Sequence, residues 1–120
     1  MTQDPLAASE VFYDGACPVC RREIAVYRGL PALSDVRWTD VSDPETRLTG
    51  LDRETALRRI HIRRRDGRLA SGAEAFTAIW RNHPRLRPLA RLLDVPPLST
   101  MAELGYRAFL RVRRLWRRPA

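Results

Sequence analysis

The chain has 120 residues, 44% hydrophobic and 30% charged, the proportions of an ordinary globular protein long enough to bury a core without disulfide staples. No stretch approaches the ~20 apolar residues needed to span a bilayer. All 22 basic residues are arginine, which reads as base composition of the source genome rather than phosphate recognition, and the net charge is +8. Residues 1–80 balance 12 arginines with 12 acids, whereas residues 81–120 set 10 arginines against Asp94 and Glu103. The whole surplus therefore lies in the last third and suits an anionic lipid, nucleic acid or acidic partner.

The opening MTQDPLAASE has neither the basic n-region nor the apolar core of a secretory signal. The expected location is the cytosol, a reducing compartment where a cysteine pair is usually catalytic or metal-binding. Residues 10–14, EVFYD, read as a strand covered on both faces, because Val11, Phe12 and Tyr13 are consecutive and apolar. Gly15 breaks it. Pro18 suits the first turn of a helix, which runs to about Arg28 before Gly29 and Pro31 stop it. Residues 36–41, VRWTDV, make a second strand. Asp43-Pro44 has the form of an N-cap followed by proline at the first helical position, and a short helix is expected over 53–59.

In IHIRRRDGRLASG, Asp66-Gly67 between two strand-like runs predicts a type I′ hairpin. Ser71 and Glu74 form a capping-box signature ahead of AFTAIW, predicting a helix over 72–82 that ends at His83-Pro84. The order is β-α-β-α-β-β-α, followed by a helical last third punctuated by Pro88, Pro96 and Pro97. One domain is expected over 1–120, with a core over 9–84 and a helical basic extension over 85–118.

The two cysteines, Cys17 and Cys20, stand where the first strand gives way to the first helix. Cys17 falls at the helix N-terminus, where free N–H groups and the macrodipole favour an anion. An ordinary thiol is about 3% ionised at neutral pH, while one with a pKa of ~7 is about half thiolate. Arg21, four residues on, adds a cation. Cys20 shares a stripe with Ile24 and Tyr27 and is expected to face the core. The expected division of labour is that Cys17 attacks a substrate disulfide and Cys20 resolves the mixed disulfide. A Cys-x-x-Cys turn at a helix start brings the two Cα atoms close enough to close a disulfide. At a strand-to-helix junction inside a β-α-β pattern, it is a specific redox signal.

A zinc site would need two more ligands. Only His61 and His83 remain as nitrogen donors, far apart in sequence, whereas structural zinc sites bring ligands as close pairs. His61 reads as an outward strand residue beside inward Ile60 and Ile62, and His83 as a cation at a helix C-terminus. Neither metal nor cofactor is expected. Asp14 ends its strand as YDG, where some phosphatases hold a nucleophilic aspartate. The second acid that chemistry needs is missing, since Phe12 and Ala16 stand two residues to either side. Asp14 reads first as a residue that orders the loop through an Asx-turn, and second as a proton relay during exchange.

Asp14-Gly-Ala-Cys17-Pro-Val-Cys20 resembles the Asp-x-x-Cys-x-x-Cys signature of the DCC family of thiol–disulfide oxidoreductases, and Phe12-Tyr13 and Gly15 match its YDG opening. TDVSDP, HIRRRDGRLASGAEAF and GYRAFLRVRR extend the resemblance over nearly the whole chain. It implies an α/β fold, a thioredoxin-like three-layer core with a mixed sheet. It also implies Cys17 and Cys20 as the active dithiol, with Asp14 as the third signature position. Most members of the wider thioredoxin superfamily place a substrate-positioning cis-proline before the third strand. Here that position falls near Arg59-Ile60, and no proline occurs between Pro44 and Pro84. By that resemblance, the substrate contacts are expected at Pro18, Arg59 and Ile60.

Residues 98–118 have the pattern of an amphipathic helix. Met101, Leu104, Ala108, Val112 and Leu115 share one stripe, Arg107, Arg111, Arg114 and Arg118 another, and Phe109 and Trp116 flank the apolar one. The apolar stripe is expected to dock on the core and leave the arginines in water. The sharper alternative is a helix lying on an anionic membrane surface. Nucleic acid is not an expected partner, because no recognised binding motif accompanies the charge. Two functions emerge. One is a cytosolic thiol–disulfide oxidoreductase acting on a disulfide-bearing protein or a small thiol. The other is a non-catalytic thioredoxin-like module that docks to a membrane or membrane protein through its basic C-terminal helix.

Overall fold

Consecutive apolar residues in a short strand demand cover on both faces, and β1 (Ala8–Tyr13) receives it at the centre of the computed structural model, which describes residues 4–33 and 35–115. After β1 come α1 (Pro18–Gly29), β2 (Arg37–Asp40), α2 (Arg53–Arg58), β3 (His61–Arg64), β4 (Leu69–Ser71), α3 (Ala73–Trp80), α4 (Arg87–Leu93) and α5 (Leu98–Arg113). The sheet order is β2-β1-β3-β4, with β1 parallel to β2 and antiparallel to β3, and β3 antiparallel to β4. This is the expected mixed sheet and the expected β-α-β-α-β-β-α order, an α/β fold of thioredoxin-like type.

Registry assigns the two faces. Val11 pairs with Trp38 and Ile62, and Ile62 with Ala70. This face packs against Ile24 and Tyr27 of α1 and Ala75, Ala78 and Ile79 of α3. Phe12, one residue along, points the other way and meets Val41 and Ala56, with Leu48, Leu51 and Leu57 around them. Phe12 is 2% exposed, and full burial of such a side chain stabilises by roughly 1.5–3 kcal/mol. The sheet is thus sandwiched between α1 with α3 on one side and α2 on the other.

Several local readings are corrected. Asp43-Pro44 starts no helix. Asp43 instead closes a turn, accepting the Glu45 and Thr46 amides through its side chain and carbonyl. The N-cap of α2 is Asp52, whose carboxylate accepts the Thr55 amide. The hairpin is not type I′, which would need positive φ at both central residues. Only Gly67 has it (φ +91°), and residues 65–67 form a three-residue loop closed by Gly67 N–H donating to the Arg64 carbonyl.

The capping box does not form either. Ser71 is consumed by β4, paired with His61. Gly72 is the N-cap of α3, at φ +65° and ψ −135°, with no side-chain cap of its own. The Ala73 amide goes instead to Oε1 of Glu103 on α5, at 3.2 Å.

Both histidines are interior. His61 shares its face with Phe12, is buried, and turns Nδ1 toward the Arg59 carbonyl at 2.8 Å. Burial lowers its pKa, which favours the neutral ring. It is not an outward residue because α2 and the segment before it cover that face as well. His83 lies beyond the end of α3, also buried. Its Nδ1 meets the Pro31 carbonyl at 3.0 Å and its ring stacks on Tyr27. It is a packing residue just beyond the end of α3, held between α1 and the loop that follows it.

The last third closes onto the core. Arg81, just past α3, binds Asp94 at 2.8 Å and Asp4 at 3.1 Å, tying the end of α4 to the segment before β1. α4 and α5 then pack against α3 and each other. α5 does so with the face opposite to the one expected. Met101, Leu104, Ala108, Val112 and Leu115 are exposed, whereas Tyr106 and Arg113 are buried with Phe109 half-buried beside them. The inward face carries polar anchors, and each of those finds a partner. Trp116 and Arg118, part of the expected helix, lie outside the described residues.

Candidate active site

The end of β1 and the start of α1 build the dithiol. Asp14 accepts the Ala16 amide through Oδ1 at 3.0 Å and the Cys17 amide through its carbonyl at 3.2 Å, which is the turn its side chain predicts. Opposite, the Asp40 carboxylate at the end of β2 accepts the Gly15 amide at 2.9 Å. Thus held, Cys17 becomes the N-cap of α1 and Pro18 its first residue, where the missing N–H costs nothing. The Cys17 Sγ accepts the Cys20 amide at 3.4 Å. Both thiols are free.

Exposure runs opposite to expectation. Cys17 is 0% exposed, whereas Cys20 is half-buried. Burial pushes the Cys20 thiol up to about 12, the neighbouring Cys17 adds to the rise, and Arg113 opposes it. Cys20 does continue the stripe of Ile24 and Tyr27, both buried. It ends, however, at a small cavity of about 20 Å³, roughly room for one water, rather than in close-packed core. Pro18 and Val19 are exposed at the tip of the helix.

α5 forms the cavity's far wall with Tyr106, Phe109 and Arg113, none of which was singled out from the sequence as a site residue. Tyr106 Oη accepts the Ile60 amide at 2.7 Å, and burial pushes its hydroxyl up to about 12. Arg59 pairs with Glu103 at 2.7 Å. Of the three expected substrate contacts, then, Pro18 is open to solvent, while Arg59 and the Ile60 amide are engaged by α5. The cis peptide bond among the described residues joins Pro96 to Pro97, between α4 and α5, and not the approach to β3.

Arg113 is 8% exposed. Its Nη2 donates to the Leu57 and Arg58 carbonyls at 2.9 and 3.3 Å, and its Nη1 lies 3.9 Å from Asp14 Oδ2. Arg21, the cation expected beside Cys17, is exposed on α1. Glu23 completes the cavity wall. It accepts the Tyr27 hydroxyl at 2.7 Å, and burial raises its pKa. A signal for Arg113 existed: on a helix whose remaining arginines repeat every three or four residues, it stands off that stripe.

Comparisons with known proteins point the same way. A family model described as DCC1-like thiol-disulfide oxidoreductase matches residues 11–119. An uncharacterized chloroplastic protein of Arabidopsis thaliana is 28% identical over 100 residues, covering 72% of this chain and 46% of its own length. The chain thus spans about half the length of that curated relative. No solved structure matches it. Among the described residues, no helix is long and apolar enough to cross a membrane.

Proposed function

The chain belongs to the DCC1-like thiol-disulfide oxidoreductase family, and from that membership we propose that it exchanges the disulfide of a protein or small-thiol substrate through Cys17 and Cys20. The observation that carries this reading is the placement of the Cys17 sulfur at the N-cap of α1, accepting the Cys20 amide with the second thiol one turn inside. A thiolate accepts that hydrogen bond more strongly than a thiol does. Cys20, raised by burial, is the poorer first nucleophile.

Cys17 attacks one sulfur of the substrate disulfide, forming a mixed disulfide and releasing the other sulfur as a thiolate. Cys20 then loses its proton and attacks Cys17. The Cys17–substrate bond breaks, the second substrate sulfur departs, and the pair is left as a disulfide. Two electrons have passed from dithiol to substrate. Asp14 serves by position, fixing the loop that presents Cys17. Because Cys17 is closed to solvent, each attack begins with a local opening at the exposed Pro18-Val19 tip. A reducing compartment such as the cytosol keeps the pair in its attacking form.

Equilibration with glutathione redox buffers, read by alkylation and intact mass, tests the reading. The expected result is reversible loss of two hydrogens with both cysteines protected together. Glutathione adducts on separate cysteines with no internal disulfide would overturn it.

The outward face of α5 favours a second reading, a module that docks to a membrane. Met101, Leu104, Val112 and Leu115 are 62%, 57%, 45% and 84% exposed, with Arg107, Arg111 and Arg114 along one edge. Basic amphipathic faces of this kind bind anionic lipid. Cosedimentation should recover the protein with vesicles containing phosphatidylglycerol and not with phosphatidylcholine alone. A Met101→Asp/Leu104→Asp variant should stay in the supernatant. Equal recovery of parent and variant would dismiss this reading.

A further inference from the structure

We propose that Arg113 is the positioning cation of the dithiol, facing the Asp14 carboxylate on one side and sharing a small cavity with Cys20 on the other, so that Cys20 can shed its proton and close on Cys17. The proposal rests on the thiol–disulfide reading above and adds the residue that governs its second step. α5 brings this side chain to the site from the far end of the chain.

A buried guanidinium needs partners, since removing a charge from water is costly unless it is paired and hydrogen-bonded. Arg113 finds two in the last carbonyls of α2, Leu57 and Arg58, which carry the partial negative charge of a helix end. Those bonds fix Nη2 and leave Nη1 facing Asp14 at 3.9 Å. Asp14 is itself locked by the Ala16 amide, so the fork is aimed from both sides.

The charged and titratable groups around Cys20 are Tyr13, Asp14, Cys17, Glu23, Arg59, Tyr106 and Arg113. Two are cations. Arg59 is committed to Glu103, which takes Nη2 on both carboxylate oxygens at 2.7 and 2.8 Å. Arg113, more loosely paired, is the cation left to act on the sulfur. Burial holds the Cys20 thiol near 12, and Arg113 pulls in the opposite direction.

In the resolving step the Cys20 proton leaves to the departing substrate thiolate or to buffer. The new Cys17–Cys20 bond replaces the Cys17–substrate bond, and Arg113 stabilises the transient Cys20 thiolate. It touches no bond that breaks, so it acts on the resolving step through how much Cys20 is ionised.

Reaction of the full chain with dithiobis(nitrobenzoate) separates the steps. Thionitrobenzoate is released first by Cys17, at a rate proportional to reagent, and then by Cys20, at a rate independent of reagent. In Arg113→Gln, and in Arg113→Met, which keeps part of the buried stem, the ratio of second to first rate should fall about tenfold, the effect of one unit in thiol pKa. Arg113→Lys should restore it to within about threefold, since charge returns without the fork. The second rate should climb about tenfold per pH unit near neutrality in every protein, with the neutral variants displaced in parallel. Whichever neutral variant keeps the parental circular dichroism decides the question, and an unchanged ratio in it would overturn the proposal. Absence of any second phase in the parent would instead sink the redox reading itself. A merely structural Arg113 would lower thermal stability and leave the ratio and the pH profile alone.

Discussion

Cys17→Ser should lose disulfide exchange by at least about a thousandfold, because the proposed nucleophile itself is gone and not merely its activation. Cys20→Ser should behave differently. Its first attack survives, a mixed disulfide with substrate accumulates one to one, and only turnover stops. The asymmetry follows from place. Cys17 is the N-cap sulfur that receives an amide, while Cys20 is pushed up to about 12 by burial and its neighbour. Reduction of a disulfide-bearing peptide by stoichiometric protein, followed by non-reducing mass analysis, reads both outcomes. Trapped adducts on Cys20 in Cys17→Ser, with none on Cys17 in Cys20→Ser, would reverse the roles. A parental rate in both variants would remove the dithiol from the chemistry.

The elements that could be read from sequence are those whose causes are local. A proline three residues past the glycine that breaks a strand suits the first turn of a helix, so Cys17 and Pro18 could be placed at the head of α1. Consecutive Val11 and Phe12 could be assigned to two opposite cores. What failed were inferences in which a distant residue supplies the partner. Ser71 and Glu74 match a capping pattern, but Ser71 pairs with His61 in the sheet and the cap comes from Glu103, on another helix. Asp66-Gly67 suits a two-residue turn, but the register of β3 on β4 leaves three residues to connect.

α5 shows the limit most clearly. Its apolar stripe satisfies every rule for a docked face, and the chain docks the other one. Glu103, Tyr106 and Arg113 each meet a specific group: the Ala73 amide, the Ile60 amide, and the carbonyls of Leu57 and Arg58. Directional bonds between groups far apart in sequence leave no periodic signature. The burial of Cys17 has the same origin. A local reading sees a helix tip, and whether a tip is covered depends on segments packed from elsewhere.

Gly15→Ala should be the most damaging small substitution near the dithiol, costing about 2–4 kcal/mol of stability. A methyl at this position would stand 2.0 Å from Asp40 Oδ2 and 2.5 Å from its Cγ, far inside contact. Asp40 is a short side chain with little room to yield. Its Oδ1 accepts the Gly15 amide at 2.9 Å, the Ser42 amide at 2.9 Å and the Ser42 hydroxyl at 2.6 Å. Displacing the carboxylate breaks a knot that ties the β1–α1 loop to the end of β2. Hydrogen bonds to a charged acceptor are worth about 1.5–3 kcal/mol each, though not additively. The melting temperature should drop by about 10 °C. Asp40→Ala removes the same bonds but also the obstruction, so adding Gly15→Ala to it should cost less than about 1 kcal/mol more. Denaturant titration of the four proteins gives the coupling directly, and a change within about 0.5 kcal/mol for Gly15→Ala alone would show that the carboxylate swings aside freely. The loop in question carries Ala16 and Cys17, so the folded fraction of Gly15→Ala should also exchange more slowly. In that case the glycine is there to let a β2 carboxylate press against the backbone that aims the first sulfur.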